Sequence, residues 1–317
     1  KRITINDNID TEIPRLEHNF WALNWDVPLG RNNKGLALRA VFRNKLFRRA
    51  MSLATDRRTM IVNFWRGVAT PQFSHVGIPT DFFIGRPNVL PPEDFPNFQP
   101  SPFGFDLAAA AKILDDLKLT DTDKDGIRNI TDVFLSSEEV DLSKLPPENE
   151  RELEFTLETN RGNSIREQEV DHIAATLKQI GVSVKTSKID FVTLVNKILA
   201  SEYEAVRIGL TGTPDPALAA TVYMCEGALH FWHLSCPEDR TEAEKRIDAL
   251  YEKGASTFNL AERQKIYDEI QRLIAEDLWL IHIAVPNILL VYRTDRIANV
   301  GTDPLANDEL VFRVDLK

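Results

Sequence analysis

The chain has 317 residues, a formal net charge of −10, 43% hydrophobic and 27% charged residues. That is the composition of one large or two ordinary globular domains. The excess of 48 acids over 38 bases argues against a nucleic-acid partner, which would need a basic stripe to neutralise phosphates. The longest uncharged apolar run, "LWLIHIAVPNILLVY" at 278–292, is interrupted by His282 and Pro286 and falls short of the roughly 20 residues of a membrane span, so it is expected to form two buried strands around Pro286. No signal peptide is visible, which reads as a mature or trimmed chain.

In chain order, "FRRAMSLATDRRTMIVNFW" places Phe47, Ala50, Met51, Ala54, Ile61, Val62 and Trp65 on one helical face, with Arg58 the exception. The proline-rich stretch 79–104 excludes a helix or central strand and is expected to wrap over the surface. "DLAAAAKILDDLKL" predicts a helix capped by Asp106, with Leu107, Ala110, Leu114 and Leu117 inward. "LTDTDKDGIRNITD" at 119–132 has the alternation of a calcium loop: Asp121, Asp123 and Asp125, then Gly126, the carbonyl of Ile127, and Asp132 at the twelfth position. An EF-hand needs a helix on both sides. The residues after Asp132 show no helical stripe, and no second loop exists in the chain. A calcium sensor is therefore excluded, while a structural calcium site and a plain Asx-rich turn both stay open.

The middle of the chain reads β-α-β-α-β. Strands are expected from Leu153, at 182–186 and at 205–210. Between them lie a helix opening on a Ser164/Glu167 capping box and stopping at Gly181, and a helix capped by Asp190 that buries Phe191, Leu194, Val195 and Ile198. Crossovers of that length require parallel, right-handed pairing. In such a sheet ligands sit beyond the carboxyl ends of the strands. This brings "TNRGN" with Arg161 and "TGTPDP" with Gly212, Thr213 and Asp215 to one rim. Downstream, helices are expected from a Thr241/Glu244 capping box, burying Ile247 and Leu250, and from an Asn259 cap, burying Ile266, Ile270, Leu273 and Ile274.

Catalytic signatures are absent: there is no G-x-S-x-G elbow, Walker lysine loop or G-x-G-x-x-G turn. A hydrolase ranks last for want of a nucleophile–base pair, and the chain is read as a non-enzyme. His230 and His233 form an H-x-x-H pair without an obvious third ligand, so a metal role is not assigned to them. Cys225 and Cys236 fit either two buried thiols or a disulfide closing a short loop, worth roughly 3 kcal/mol.

The order of motifs resembles the peptide/nickel class of solute-binding proteins that serve ABC importers. The resemblance rests on "FRRAMSLATDRRTMI", "FDLAAAAKILDDL", "IAATLKQIGVSV", "GTPDP", "AERQKIYDEIQRLIAED" and "VGTDPL", six motifs in order across nearly the whole chain. It implies an α/β fold, the second lobe of a two-lobed periplasmic-binding-protein-like fold. On that basis 1–15 is a hinge-side segment of the first lobe, 16–288 the second lobe and 289–317 a return to the first lobe, most of which is absent from the chain. The implied function is capture of a small solute, peptide-like or other, and delivery to an ABC permease. The implied location is periplasmic or extracellular, tethered by a signal or lipid anchor that the chain lacks. No cofactor is required beyond a candidate structural Ca2+. Some dipeptide binders pair two cysteines after the Asp-Pro turn, which favours a Cys225–Cys236 disulfide.

By the same resemblance Arg161 falls near the arginine that grips a ligand carboxylate, and Tyr223 and Trp232 wall the cleft. One departure stands out. Peptide-binding members carry an aspartate about four residues before the turn's proline, and here that position is Gly212; Asp215 is the candidate substitute. The competing reading is a docking domain of a transport or signalling assembly that binds no solute.

Overall fold

Parallel pairing in the middle of the chain follows directly from its strand–helix alternation, and a computed structural model of the protein shows it. The structure describes residues 13–30, 33–85 and 104–288, together with the backbone of 297–298 and 315–316. The strands are β1 (Ile13–Pro14), β2 (Glu17–Leu23), β3 (Ala69–Pro71), β4 (Glu154–Asn160), β5 (Ser183–Ile189), β6 (Ala205–Thr211), β7 (Ile281–His282), β8 (Ala284–Ile288), β9 (Ile297–Ala298) and β10 (Asp315–Leu316). The helices are α1 (Lys34–Arg43), α2 (Lys45–Leu53), α3 (Arg57–Asn63), α4 (Leu107–Asp116), α5 (Asp132–Ser137), α6 (Ser164–Lys178), α7 (Phe191–Leu199), α8 (Ala220–Tyr223), α9 (Glu242–Ser256) and α10 (Leu260–Asp277).

The main sheet has the order β5-β4-β6-β2-β7. Strands β5, β4 and β6 are parallel, and β2 closes antiparallel on β6 over seven residue pairs, Glu17↔Thr211 to Leu23↔Ala205. A second sheet, β1-β8-β3, is antiparallel throughout, and β9 pairs with β10. The core is aromatic-rich: Trp21, Trp25, Trp232 and Trp279 are all fully buried. Arg48 lies inside it, its guanidinium 4.4 Å from the Trp25 ring centre, paired with Asp277 at 3.1 Å and donating to the carbonyls of Phe42 and Arg43.

Several local expectations are corrected. The single helix read across 47–65 is two: Asp56 accepts from the amide of Thr59, starting α3 after a break at Ala54 and Thr55. The axis change leaves Val62 exposed and buries Arg57, whose Nε donates to the His282 carbonyl and Nη2 to Ser52. Helix α6 is capped by Asn163, not by a Ser164/Glu167 box; the Glu167 carboxylate accepts instead from the amide of Gly162. Phe191, expected in the core, is half exposed, and α7 buries Leu194 and Ile198. The strand pair near the C-terminal end divides at Ile283 rather than at Pro286, which lies within β8 opposite Ala69. Helix α5 follows the Asp-rich loop, where no helix was expected. The Asp106, Asp190, Thr241/Glu244 and Asn259 caps and the Gly181 stop, at φ 79°, are as read. Residues 86–103 of the proline-rich stretch lie outside the described residues, as do 1–12 of the expected 1–15 segment and, apart from 297–298 and 315–316, the expected 289–317 segment.

Candidate functional site

The carboxyl ends of β4 and β6 are neighbours, because Leu157 pairs with Ala205 and Glu158 with Val206 in parallel register. The loop after β4 and the turn after β6 therefore leave from the same edge of the sheet. Arg161 stands on the first loop, exposed, its Nη2 donating to the Lys188 carbonyl at 3.1 Å. Gly212 opens the second, and its amide donates to the Leu16 carbonyl at 2.8 Å. A Cβ at Gly212 would lie 2.9 Å from the Leu16 carbonyl carbon, so the close backbone approach accounts for glycine where an aspartate was looked for.

Asp215 is already engaged. Arg263 grips it with two hydrogen bonds of 2.7 Å, and it caps the turn by accepting from the amide of Ala217 at 2.9 Å. Burial raises its carboxyl, but Arg263 and the Ala217 amide together take it below the ordinary value. Thr213 braces the same turn, its hydroxyl donating to the Asp215 carbonyl at 2.8 Å. Asp215 thus holds the turn to α10 rather than offering a free acid to a ligand.

Tyr223 and Trp232 are not cleft walls. Both are buried, Tyr223 with its ring 4.3 Å from His75 and Trp232 against His230, Phe231 and Trp279. Aromatic rings of this size in so hydrophobic a segment bury their area in the body of the protein.

The rim holds a side chain that sequence reasoning passed over. Arg166, on the first turn of α6, is half-buried, and its Nη1 donates to Asn160 Oδ1 at 2.9 Å, an amide rather than a carboxylate. Its Nη2 lies over Gly209 of β6, where an added Cβ would come within 2.9 Å of it and within 2.7 Å of Asn19 Oδ1. Burial, and then the neighbouring Arg207, lower its guanidinium to about 10. Beneath it, Arg207 and Glu169 form a fully buried pair, extended to Asn19 and to the Trp65 indole N–H. The signals for Arg166 were its place three residues into a helix that starts at the sheet's carboxyl edge and the single glycine in β6 opposite it.

The Asp-rich loop draws Asp121, Asp123 and Asp125 together, but Asp132 does not join them. It begins α5 and pairs with Arg151. Asp121 also accepts from the amides of Lys124, Asp125 and Gly126, which is the bonding of an Asx-type turn.

Cys225 and Cys236 are joined in a disulfide with a Cα–Cα distance of 5.4 Å. Close by, Glu244 Oε1 faces His233 Nδ1 at 2.7 Å and His230 Nε2 at 3.3 Å. Burial would raise the Glu244 carboxyl, yet the two imidazoles and the Thr241 amide carry it well below the carboxylate range. A concavity of about 970 Å3 lined by Asp26, Arg39, Arg43, Lys144 and Ser201 lies at the opposite end of the sheet from the rim.

An α/β lobe whose loops gather at the carboxyl ends of the parallel strands of a mixed sheet is built to meet a ligand at that edge, as in the lobes of binding proteins. The chain belongs to the bacterial extracellular solute-binding proteins, family 5, matching the middle region of that family over residues 2–228. It is 28% identical over 280 residues to a probable ABC transporter-binding protein of Deinococcus radiodurans, covering 84% of this chain and 42% of the relative. It is 23% identical over 267 residues to the oligopeptide-binding protein AppA of Bacillus subtilis, covering 82% and 41%. The solved structure of AppA, in complex with a nonapeptide, aligns with a TM-score of 0.67 and 19% identity over 96% of this chain and 51% of AppA. A periplasmic binding protein, MelB, from Agrobacterium fabrum, in complex with stachyose, aligns with a TM-score of 0.66 and 20% identity over 96% and 44%. The chain thus spans under half the length of the curated relatives it matches. Among the described residues no helix is long and apolar enough to cross a membrane.

Proposed function

We propose that this chain provides one lobe of the extracytoplasmic receptor of an ABC importer, which captures a small solute of the peptide class and hands it to a membrane permease. The reading is supported above all by the parallel register of β4 and β6, which sets Arg161, Arg166 and the Gly212–Asp215 turn on one edge of a family 5 lobe. In this proposal 16–288 is the lobe described here, with 1–15 and 289–317 running to the other lobe of the whole receptor. Ligand contacts to both lobes favour the closed state.

On this rim Arg166 is the stronger candidate for a ligand carboxylate. Its guanidinium is half-buried and bonded to a neutral amide, so an incoming carboxylate gains a charge-assisted pair without displacing a resident one. Arg161, exposed and turned onto the Lys188 carbonyl, ranks second, with Gly212 and Thr213 supplying backbone groups. A peptide ammonium finds no free carboxylate in the Asp215 turn. Glu17, within reach of Arg166's field and accepting from Asn19, is the acid placed to take that part.

The test is thermal stabilisation of the full-length protein across peptides, oligosaccharides and metal chelates, followed by scattering. Stabilisation by short peptides, compaction on binding and an affinity loss of more than about tenfold in Arg166→Ala, the loss of a charge-assisted hydrogen bond, support the reading. No ligand in any class, or an unchanged radius on binding, would overturn it in favour of a docking domain.

A further inference from the structure

The H-x-x-H pair lacked a third ligand in the sequence, and the fold supplies a third and a fourth. His230, His233, Cys236 and Glu244 each bring one potential ligand atom into a cluster in which all lie within 4.8 Å of one another, and all four residues are buried. The local backbone explains the convergence. The amide of His233 donates to the His230 carbonyl at 3.2 Å, and that of Cys236 to the His233 carbonyl at 3.1 Å. Two successive three-residue turns stack positions 230, 233 and 236 in one column, as i and i+3 eclipse in 3-10 geometry. Glu244 faces the column from the first turn of α9. Its Oε2 is held by the Thr241 amide at 2.8 Å and hydroxyl at 2.7 Å, which leaves Oε1 to the cluster.

Hydrogen bonding at His230 points independently to a cation. Its Nδ1 faces the Val222 carbonyl at 3.1 Å and its Nε2 faces Glu244 Oε1 at 3.3 Å, so both ring nitrogens meet acceptors. With Nδ1–H donating to the carbonyl, the Nε2 lone pair and Oε1 face one another, and a metal ion placed between them would satisfy both. The contact from Nδ1 to a backbone carbonyl is also the support that orients metal-bound imidazoles.

We propose that reduction of the Cys225–Cys236 disulfide opens a Zn2+ site made of His230 Nε2, His233 Nδ1, Cys236 Sγ and Glu244 Oε1. Two nitrogens, one thiolate and one carboxylate are the ligand types and number of a closed zinc site. A dithiol reductant supplies two electrons: the Cys225–Cys236 bond breaks, two thiols form and the reductant closes to its own disulfide. Zn2+ then displaces the thiol proton of Cys236 and takes the lone pairs of His230 Nε2 and His233 Nδ1, with each imidazole neutral and its ring proton on the other nitrogen. The occupied cluster is neutral, with two positive charges on the metal set against one thiolate and one carboxylate. Arg43 Nη2, 3.3 Å from His233 Nε2, has to shift; the side chain is one-third exposed, and its Nη1 keeps Asp239 as a partner.

The experiment titrates the full-length protein with Co2+ as a spectroscopic stand-in for Zn2+, oxidised and after dithiol reduction. A Cys225→Ser variant, which frees Cys236 without reductant, is titrated alongside. The expected result is one equivalent bound with tetrahedral cobalt absorption and a thiolate-to-cobalt band in the reduced and variant proteins, displaced by Zn2+ and absent from the oxidised protein. His233→Gln and Glu244→Gln, in the Cys225→Ser background, are expected to weaken binding by more than about tenfold, the least that changes around a metal commonly cost. Should Cys225→Ser lose its folded circular dichroism, the reduced natural sequence carries the test. No thiolate band in either protein, equal binding by the oxidised form, or a band surviving both substitutions overturns the proposal. Solute binding plays no part in this readout.

Discussion

Arg207 of β6 and Glu169 of α6 form an ion pair at 2.6 Å with both side chains completely removed from solvent. Burying two charges is expensive unless each is paired and further hydrogen-bonded, and here Trp65, Asn19 and the Ile208 carbonyl complete the set. The pair ties α6, and with it Arg166, to the strand whose end forms the rim. Glu169→Ala leaves Arg207 alone in the core and is expected to cost about 3–5 kcal/mol, measured by denaturant unfolding. Replacing both residues by apolar ones of similar volume should recover most of that loss; a double variant as unstable as the single one would contradict the account.

Gly212 tolerates no side chain. Its Cβ would sit 2.9 Å from one Leu16 backbone atom and 3.0 Å from another, and backbone does not yield as a flexible side chain does. Gly212→Ala should destabilise by about 1–3 kcal/mol, the usual cost of overpacking. Gly67→Ala serves as the control because it meets no atom within 4 Å, although its φ of 76° brings a backbone cost of its own.

Asp215 and Arg263 clamp the Asp-Pro turn to α10 in a partly exposed pair. Solvent screening limits its worth, so Asp215→Asn should lower stability by about 1 kcal/mol. If the clamp is the residue's role, ligand affinity should change less in this variant than in Arg166→Ala, as isothermal titration would show.

Acid should destabilise the protein through three buried imidazoles. His18, His75 and His282 lie near one another with Arg57, Gln72, Tyr223 and Tyr251 around them. Burial lowers His18 to about 4 and pushes His75 and His282 well down, with neighbouring positive charge adding to the effect. The unfolded chain, with imidazoles at 6.5, takes up protons first as pH falls. Stability is therefore full above about pH 6.5 and declines towards about pH 4, by up to about 1.4 kcal/mol per pH unit for each imidazole. Unfolding curves across that window check the sign, and His282→Gln should flatten the slope.

Reduction of Cys225–Cys236 in the presence of a chelator should cost about 3 kcal/mol, the chain-entropy value for closing an 11-residue separation. The midpoint of denaturant unfolding, compared between oxidised and reduced protein, measures it.

Local chemistry was legible along the chain wherever one residue type does one job. The caps at Asp106, Asp190, Thr241 and Asn259 and the Gly181 stop follow from backbone amides and carbonyls that must be satisfied at helix ends. The β-α-β-α-β order likewise dictated parallel strands, and so the shared edge of the 159–163 and 211–216 loops. A helical stripe, by contrast, does not report a break in its own axis, so the turn at Ala54–Asp56 was invisible although Asp56 stood in plain view. Periodicity ranks faces but not partners, which is why Phe191 was placed inside and Arg207 and Glu169 were not seen at all.

The site depended on the third dimension for the same reason. Tyr223 and Trp232 are apolar surface that any neighbour could cover, and only packing shows that the body of the lobe covers them. Asp215 and Arg263 are 48 residues apart, and Glu244 lies eleven beyond His233. Contacts over such separations cost chain entropy that no local preference encodes. The sequence by itself determined the β-α-β-α-β order at 153–211 and the edge that its loops share, because crossover length and helix-end bonding are local constraints; the tertiary structure alone decided which charges are already spent on one another and which remain to meet a ligand.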